Sequence, residues 1–243
     1  MDVRRRFGGG PVTGALGAVV VVAVMLLLLF LVRAAAYRAT ASVAVALPSV
    51  VGDLLDVVGE LGLLVLVGLA VGLTWRARSR GLKHLTVAGV AVVGAVAAYL
   101  LSEAVKAVVG EERPCRTLSV RTLASCPAPG DWSWPSNHAT IAGALATLVV
   151  VLAPVWWRLV VPLALAVAAS RVLTGAHYWH DVLAGLALGV LVVWFGTWAL
   201  APVAHRMLER SVTSGPPGWR RAIGQAYAPK YAADDDSRER GDG

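Results

Sequence analysis

Charged residues and cysteines are both scarce in this chain. Asp, Glu, Lys and Arg make up 15% of its 243 residues, whereas hydrophobic residues make up 57%. This apolar share exceeds the ~45–50% of an ordinary soluble domain, so a soluble fold is not expected. The two cysteines, Cys115 and Cys126, form no CxxC pair, which argues against a structural zinc site.

A stripe of basic residues interleaved with aromatic residues, typical of nucleic-acid-binding surfaces, is also missing. The net charge is +7 and the isoelectric point is about 10.0, but the basic residues collect at the ends of apolar runs. Basic clusters at span ends are typical of membrane topology. We therefore expect the partner of this chain to be a lipid bilayer and not a nucleic acid.

Long apolar runs dominate what is present. Residues 12–32 carry no charge and would cross the ~30 Å hydrocarbon core as a helix. The competing interpretation is a cleavable signal peptide, whose apolar core is normally only ~7–15 residues long. Residues 34–60 are mixed in polarity, which indicates a connector with an interfacial helix. The other predicted spans are 61–75, 85–105, 139–157, 163–174 and 182–203, with a tight turn around Arg158 and Pro162.

These runs predict an all-α protein, a polytopic membrane helical bundle with about six transmembrane helices. We assign residues 1–204 to one membrane-embedded domain and residues 205–243 to a polar, disordered tail. With six spans, the arginine-rich N-terminus, the basic loop at 76–83, the Arg158 turn and the tail fall on one side, which is then cytoplasmic.

Ionisable residues are costly inside so apolar a chain and are therefore informative. Residues 170–181, read alone, could be an ordinary polar loop between membrane helices. The predicted topology, however, places several ionisable groups at or beside helix ends on the extracytoplasmic side. These groups are Lys106, Arg113, His138, Arg171, His177 and Asp181.

The positive members of this group suit a phosphate. Lys106, Arg113 and Arg171 would supply three charges, and an arginine can contact two phosphate oxygens at once. For any one of them, the alternative is an interface anchor beside anionic headgroups. Residues 135–138, PSNH, precede a predicted helix, so the Ser136 hydroxyl and free backbone N–H groups can face an anion at the helix N-terminus. Ser136 can equally act as a helix cap.

The order and spacing of these residues resemble a known family signature. Lys106 precedes Arg113-Pro114, PSNH follows, and Ser170-Arg171 precedes the histidine and aspartate. Together they resemble the three-part signature of the type 2 phosphatidic acid phosphatase family, which is related to bacterial acid phosphatases and vanadium haloperoxidases. The resemblance covers the segment from Lys106 to Asp181, the predicted core of the site.

The resemblance implies a role for each matched residue. His177 would be the nucleophile, Asp181 would hold its imidazole, and His138 would act as general acid and then base. No metal or other cofactor would be needed, because fixed cations stabilise the charge. The implied phosphate ligands are Lys106, Arg113, Ser136, the backbone N–H of Asn137, and Arg171.

One position departs from the family pattern. Asn137 stands where the family usually has glycine. Asparagine is the non-glycine residue that best tolerates a left-handed backbone. We therefore expect the turn to survive in that conformation.

The implied activity is that of an integral membrane lipid phosphate phosphatase acting at the extracytoplasmic face through a phosphohistidine. The family suggests polyprenyl diphosphate, phosphatidic acid or phosphatidylglycerol phosphate as substrate. The alternatives are a lipid phosphotransferase using the same site and a non-catalytic lipid-phosphate binding or transport protein. The last would not require a paired nucleophile and acid. A vanadate haloperoxidase is less favoured, because those relatives are generally soluble.

Several polar residues beside the signature have separate interpretations. His180 does not fit the spacing from Arg171, so we interpret it as an interfacial histidine. Cys115 and Cys126 fall in the polar loop 110–137 on the oxidising side, and we hypothesise a disulfide that pins this loop over the site. Two free thiols are the alternative. Glu111 and Glu112 are expected either to pair with Arg116 or Arg121 or to face water.

Overall fold

The computed structural model describes residues 11–214, and its regular structure in that range is entirely helical, which confirms the predicted all-α class. Two short 3-10 turns, Arg78–Arg80 and Pro154–Trp156, join longer helices. The α-helices are α1 (Pro11–Leu31), α2 (Arg33–Val45), α3 (Ser49–Ala77), α4 (Leu82–Val109), α5 (Pro114–Thr117), α6 (Asn137–Leu152), α7 (Trp157–Leu173) and α8 (Trp179–Ser214).

Half of these helices have the length and composition of membrane spans. Helices α3, α4 and α8 meet both criteria, and α7 does so together with the 3-10 turn Pro154–Trp156 that precedes it. Helices α1 and α2 bend by 74° at their junction and form a fifth crossing if the pair is one broken span. Helix α6 is also apolar but has 16 residues, or ~24 Å at 1.5 Å per residue. The polytopic bundle is therefore confirmed, and the predicted count of about six is approximate.

Helices α6 and α8 cross with their backbones in close contact. A Cβ atom on Gly143 of α6 would lie 2.7 Å from the Leu186 carbonyl oxygen, and one on Gly189 of α8 would collide with the Thr140 carbonyl oxygen. Small residues permit such crossings in membrane bundles. At the end of this crossing, the Ser136 N–H donates to the Asp181 carbonyl oxygen at 3.1 Å. The crossing therefore sets the starts of α6 and α8 side by side.

Apolar side chains fill the interior between α3, α4, α6, α7 and α8. On the outside, large apolar residues such as Val93 and Leu165 are exposed, as expected for helices that face lipid. Backbone polar groups inside a helix pair within that helix, as lipid-facing segments require. The fully buried core includes Leu66, Val149, Val160, Val167 and Val193.

The two ends of the bundle differ chemically. The turn from α3 to α4 and the turn from α6 to α7 lie at one end, which carries Arg76, Arg78, Arg80 and Arg158. The other end gathers the last turns of α4 and α7 and the first turns of α6 and α8. All of the motif residues belong to this second end or to the loops that leave it.

The region predicted as a connector with an interfacial helix contains α2 and the first three turns of α3, so the second span begins earlier than predicted. Helix α3 begins at Ser49, directly after Pro48, and not near residue 61. Asp53, Asp56 and Glu60 are all exposed on it, and their i, i+3, i+7 spacing places them on one face of the helix. Their charges lower the hydropathy of this stretch of sequence, but they leave the opposite, apolar face of α3 intact.

Two other boundaries also differ from the predictions. Pro162, which we expected in a turn, lies inside α7, and the turn is formed by Pro154–Trp156. A proline in a membrane helix is tolerated where neighbouring groups satisfy the freed carbonyl. Helix α8 continues to Ser214, so the predicted tail begins as helix, and residues 215–243 lie outside the described residues.

Candidate active site

The motif residues lie at helix ends and in connecting loops, all at one end of the bundle. Lys106 lies in the last turn of α4, and Arg113 is the N-cap residue of the short helix α5. His138 lies in the first turn of α6, and Arg171 lies in the last turn of α7. His177 occupies the turn between α7 and α8, where its N–H donates to the Arg171 carbonyl oxygen at 3.2 Å.

His177 is held between an acid and a cation. Its Nδ1 lies 3.3 Å from Asp181 Oδ2, and its Nε2 lies 3.1 Å from Arg113 Nη1. A guanidinium can only donate, so the Nε2 lone pair accepts from Arg113 and Nδ1 carries the proton. The residue is 2% exposed. Burial lowers the pKa of His177 to about 4, although Asp181 opposes this shift, so the imidazole is neutral at pH 7.

Asp181 is fully buried and oriented by three donors. Its Oδ2 accepts from the Tyr178 N–H at 2.9 Å, from the Ser133 hydroxyl and from His177. The Tyr178 bond is the backward half of a capping box, in which the third helical residue reaches the N-cap N–H. The start of α8 therefore fixes the carboxylate that faces the imidazole.

Ser133 is a site residue that the motifs did not predict. Its side chain is fully buried, its hydroxyl donates to Asp181, and it lies 3.4 Å from His177 Nδ1. Its backbone N–H donates to the Glu111 carbonyl oxygen at 2.7 Å, which fixes its position. A serine between two tryptophans three residues before Ser136 was the signal available in the sequence, and it is a weak one.

Lys106 and Arg113 form a buried cationic pair, each 5% exposed. Arg113 is held by the Ala176 carbonyl oxygen, at 2.9 Å from Nη1, and by the Asp131 carbonyl oxygen, at 2.8 Å from Nε. These contacts aim the guanidinium at His177. The sequence predicted both cations, but it did not predict the loop residue that meets them.

That loop residue is Asp131, whose carboxylate lies against both cations. Its Oδ1 lies 2.9 Å from Arg113 Nη2 and 3.7 Å from Lys106 Nζ. Burial alone would raise the pKa of Asp131, but the hydrogen bond and charge of Arg113, with the charge of Lys106, hold this pKa below its usual value. Asp131 is therefore ionised at neutral pH.

Ser136 and Arg171 carry buried donors that are not used. Among the described residues, neither Ser136 Oγ nor Arg171 Nε has a hydrogen-bond partner. Leaving a buried donor unpaired costs free energy, so both groups are suited to bind a ligand. Both belong to the predicted phosphate ligands.

Asn137 does not adopt the backbone that we expected. It is the first residue of α6, and Ser119 is the single non-glycine residue with a positive φ in the described range. Its amide group instead packs sideways against α4. Oδ1 accepts from Ser102 Oγ at 2.8 Å, and Nδ2 donates to Glu103 Oε1 at 2.6 Å. The prediction of a left-handed turn is therefore wrong, because the side chain ties α6 to α4 from a helical position.

His138 faces a carboxylate that the motifs did not include. Its Nε2 lies 3.2 Å from Glu60 Oε1, and the same oxygen lies 3.9 Å from Arg171 Nη1. The His138 side chain is 29% exposed and that of Glu60 is 65% exposed. Glu60 was missed because residues 34–60 were interpreted as a connector. Its helical spacing from Asp53 and Asp56 was the available signal.

His180 is buried, so its interpretation as an interfacial histidine was wrong. It is 3% exposed and stacks on Tyr178 with ring centroids 5.3 Å apart. Its Nε2 lies 3.3 Å from Glu111 Oε2 and 3.2 Å from Asp181 Oδ1. Glu111 therefore contacts His180, whereas Glu112 pairs with Arg116 at 3.0 Å, as one alternative predicted.

Glu111, His180 and Asp181 form the one group of potential metal ligands found among the described residues, with ligand atoms within 4.8 Å of one another. These atoms already contact each other, and Asp181 also holds His177 and Ser133. A cation at this position would compete with those bonds. We therefore assign Asp181 to the hydrogen bonds that hold His177, and His180 with Glu111 to a polar contact beside it.

The loop over the site is anchored at several points. Cys115 and Cys126 are joined by a disulfide with a Cα–Cα distance of 5.9 Å, in agreement with the hypothesis. The Ala124 N–H donates to the Thr174 carbonyl oxygen at 3.2 Å, and Thr117 Oγ1 lies 3.0 Å from the Tyr178 hydroxyl. The loop that carries Asp131 and Ser133 is thus tied both to itself and to the start of α8.

The fold and this geometry define a class: a polytopic helical membrane protein with two histidines and several cations at one end of its bundle. Comparison with known families agrees with that class. Residues 87–203 match the PAP2 superfamily. The match covers just under half of the chain and agrees with the resemblance carried by the motifs.

Three relatives each match about two fifths to one half of the chain. An undecaprenyl-diphosphatase of Sulfolobus acidocaldarius is 37% identical over 99 residues, which cover 40% of this chain and 48% of the relative. The undecaprenyl-diphosphatase BcrC of Bacillus subtilis is 35% identical over 131 residues, covering 52% and 62%. A lipid A 1-phosphatase of Rhizobium johnstonii is 30% identical over 123 residues, covering 49% and 48%. The matches span about half to three fifths of the length of these relatives.

A solved structure has the same fold. The PAP2-type phosphatidylglycerolphosphate phosphatase of Bacillus subtilis aligns with a TM-score of 0.52 over 72% of this chain and 94% of that chain, at 22% sequence identity. At this identity the likeness concerns the fold alone.

Proposed function

We propose that this protein is a membrane phosphatase that hydrolyses a lipid phosphomonoester or diphosphate through a phosphohistidine. The observation that carries the proposal is the orientation of His177, with Nδ1 on Asp181 and Nε2 facing Arg113. A neutral imidazole held in this way presents its lone pair to an anion bound by fixed cations. The phosphatase and diphosphatase names of the relatives support the same class of reaction.

In the first step, His177 Nε2 attacks the terminal phosphorus, and the bond from phosphorus to the leaving oxygen breaks. This oxygen is the lipid oxygen of a phosphomonoester or the bridging oxygen of a diphosphate. His138 donates a proton to that departing oxygen. Asp181 stabilises the positive charge that develops on the phosphorylated imidazole. The equatorial phosphate oxygens would be bound by Lys106, Arg113, Arg171, the Ser136 hydroxyl and the Asn137 backbone N–H.

In the second step, a water molecule attacks the phosphorus of the phosphohistidine. His138, now neutral, takes a proton from the water, and the Nε2–phosphorus bond breaks. Inorganic phosphate leaves, and both histidines return to their starting states. The fixed cations supply the charge stabilisation that a metal ion supplies in other phosphoryl-transfer sites.

We place the site at the extracytoplasmic face. The basic turns after α3 and before α7 lie at the opposite end of the bundle from the motif residues, and basic turns favour the cytoplasmic side. Among lipids, a polyprenyl diphosphate is the substrate we favour, because two of the named relatives are undecaprenyl-diphosphatases. Phosphatidic acid and phosphatidylglycerol phosphate remain in the same chemical class.

The test is phosphate release by the purified full chain, in detergent and EDTA, from polyprenyl diphosphate and phosphatidic acid. His177→Ala should lower the rate by about 10⁴-fold or more, since it removes the nucleophile. His84→Ala, at the other end of the bundle, should keep the wild-type rate. Equal release by wild type and His177→Ala would refute the proposal. Transfer to a second lipid without free phosphate would indicate a phosphotransferase.

A further inference from the structure

The Asp131 carboxylate lies where the proposed phosphate ligands converge. It contacts Arg113 at 2.9 Å and Lys106 at 3.7 Å. Both cations are buried and nearly inaccessible to water, and burying charges without a counter-ion is costly. Asp131 therefore pairs with two of the cations that the proposed mechanism assigns to phosphate and offsets one of their two positive charges.

Of the three side chains, the exposed fractions show which one can move from this contact into water. The side chains of Lys106 and Arg113 are 7% and 6% exposed, whereas that of Asp131 is 49% exposed. Rotation of its side chain would move the carboxylate into water, where an ionised group is well solvated. The cations have no comparable exit.

The backbone around Asp131 permits this exchange without loss of the site. The Asp131 carbonyl oxygen accepts from Arg113 Nε at 2.8 Å, independently of the carboxylate. The Asp131 N–H donates to the Ala128 carbonyl oxygen at 3.2 Å, and the next turn is tied through Ser133 to Glu111. Arg113 thus stays oriented when the side chain of Asp131 moves away.

We propose that Asp131 is a displaceable counter-ion that competes with phosphate for Lys106 and Arg113 and so determines how strongly the site binds anions. An entering phosphate with two or more negative charges replaces the carboxylate, whereas a singly charged phosphodiester competes less well. After hydrolysis, the returning carboxylate weakens the binding of inorganic phosphate. The inference rests on the proposed function only in taking these two cations as phosphate ligands.

The test measures anion binding apart from catalysis. Inorganic phosphate and orthovanadate are titrated into the purified full chain by calorimetry, with wild type, Asp131→Asn, Asp131→Glu and Glu112→Gln compared. Asp131→Asn keeps the size of the side chain and removes its charge, so the dissociation constant for phosphate should fall about three- to tenfold. Asp131→Glu keeps the charge and should stay closer to wild type.

Glu112→Gln is the matched control, because it removes the same charge from the same loop at a residue whose carboxylate pairs with Arg116. It should leave the dissociation constant within twofold of wild type, about the effect of one exposed charge. Unchanged or weaker phosphate binding by Asp131→Asn would overturn the proposal, because a residue that merely holds Arg113 in place would act in that direction. Wild type that binds phosphate but releases none from lipids would refute the proposed function and leave this inference standing.

Discussion

The two histidines of the candidate site have contrasting surroundings. His177 is 2% exposed and contacts Asp181, Ser133 and Arg113. The His138 side chain is 29% exposed, and its partner Glu60 is largely in water. A nucleophile benefits from a fixed, neutral and desolvated imidazole, whereas an acid and base must exchange protons with a leaving group and with water. The contrast therefore matches the division of roles that we propose.

His138→Ala should have the largest effect among the tests of this contrast. Loss of the general acid should slow hydrolysis of a lipid alkyl phosphate by about 10²- to 10⁴-fold. The loss should be much smaller in the first step with p-nitrophenyl phosphate, whose leaving group needs no proton. Burst kinetics with both substrates measure this difference. An equal first-step loss with both would show that His138 is not the acid.

Ser133→Ala tests the buried half of the site. The substitution removes one donor to Asp181 and leaves the Tyr178 N–H bond in place. Loss of a hydrogen bond to a charged group costs about 1.5 kcal/mol or more, so kcat should fall about tenfold with little change in KM. Ser79→Ala, in the turn at the other end of the bundle, is the control. A change in KM alone would place Ser133 outside this network.

Glu60→Gln tests the exposed half. The substitution keeps a hydrogen-bond acceptor for His138 but removes the charge near Arg171. Because both side chains of the pair reach water, the effect on kcat should be smaller, about threefold. Asp53→Asn, on the same exposed face of α3, controls for the loss of charge. A loss as large as that of Ser133→Ala would contradict the contrast between the two halves.

Of these predicted effects, the smallest is the change in kcat/KM that titration of His177 causes between pH 7 and pH 5. With a pKa of about 4, only roughly a tenth of this imidazole is protonated at pH 5, whereas an ordinary histidine with a pKa of ~6.5 would be almost fully protonated. The limb of kcat/KM due to His177 should therefore lie near pH 4. A thirtyfold fall in kcat/KM between pH 7 and pH 5, with a midpoint that Asp181→Asn shifts, would contradict the buried environment assigned to His177.

The same shift predicts a trend in stability. The folded-state pKa of His177 lies below its unfolded value, so between about pH 4 and ~6.5 the unfolded chain binds more protons. The contribution of His177 to stability is fully present above pH ~6.5 and is lost as the pH falls through about 4. Thermal unfolding in detergent at pH 7 and pH 5 should show this decrease, and His177→Gln should reduce it.

The sequence predicted the parts of the molecule that depend on order along the chain. Helix ends alternate between the two sides of a bundle, so the cations and histidines of the motifs had to converge at one end. Glu60, Asp131 and Ser133 depend instead on the path of a loop and on the face of a helix. An isolated carboxylate or serine in an apolar chain does not indicate its partner, and hydropathy alone could not recognise α3 as a helix from Ser49.

Asn137 and His180 illustrate a second limit. The identity of Asn137 suggested a backbone conformation, but the structure uses its amide group to contact Ser102 and Glu103. The spacing of His180 correctly separated it from His177, but could not show that Tyr178 and Glu111 bury it. Spacing locates a residue on an element, whereas burial depends on what packs against that element.

Trapping of the phosphorylated enzyme tests the central claim most directly. A lipid monophosphate labelled with ³²P is mixed with wild type, His138→Ala and His177→Ala, quenched in base, and the labelled peptide is identified. Base-stable, acid-labile label on His177 is predicted in wild type, with more label per molecule in His138→Ala if loss of the base slows the second step further. Label of equal amount in His177→Ala, or label on another residue, would contradict the account.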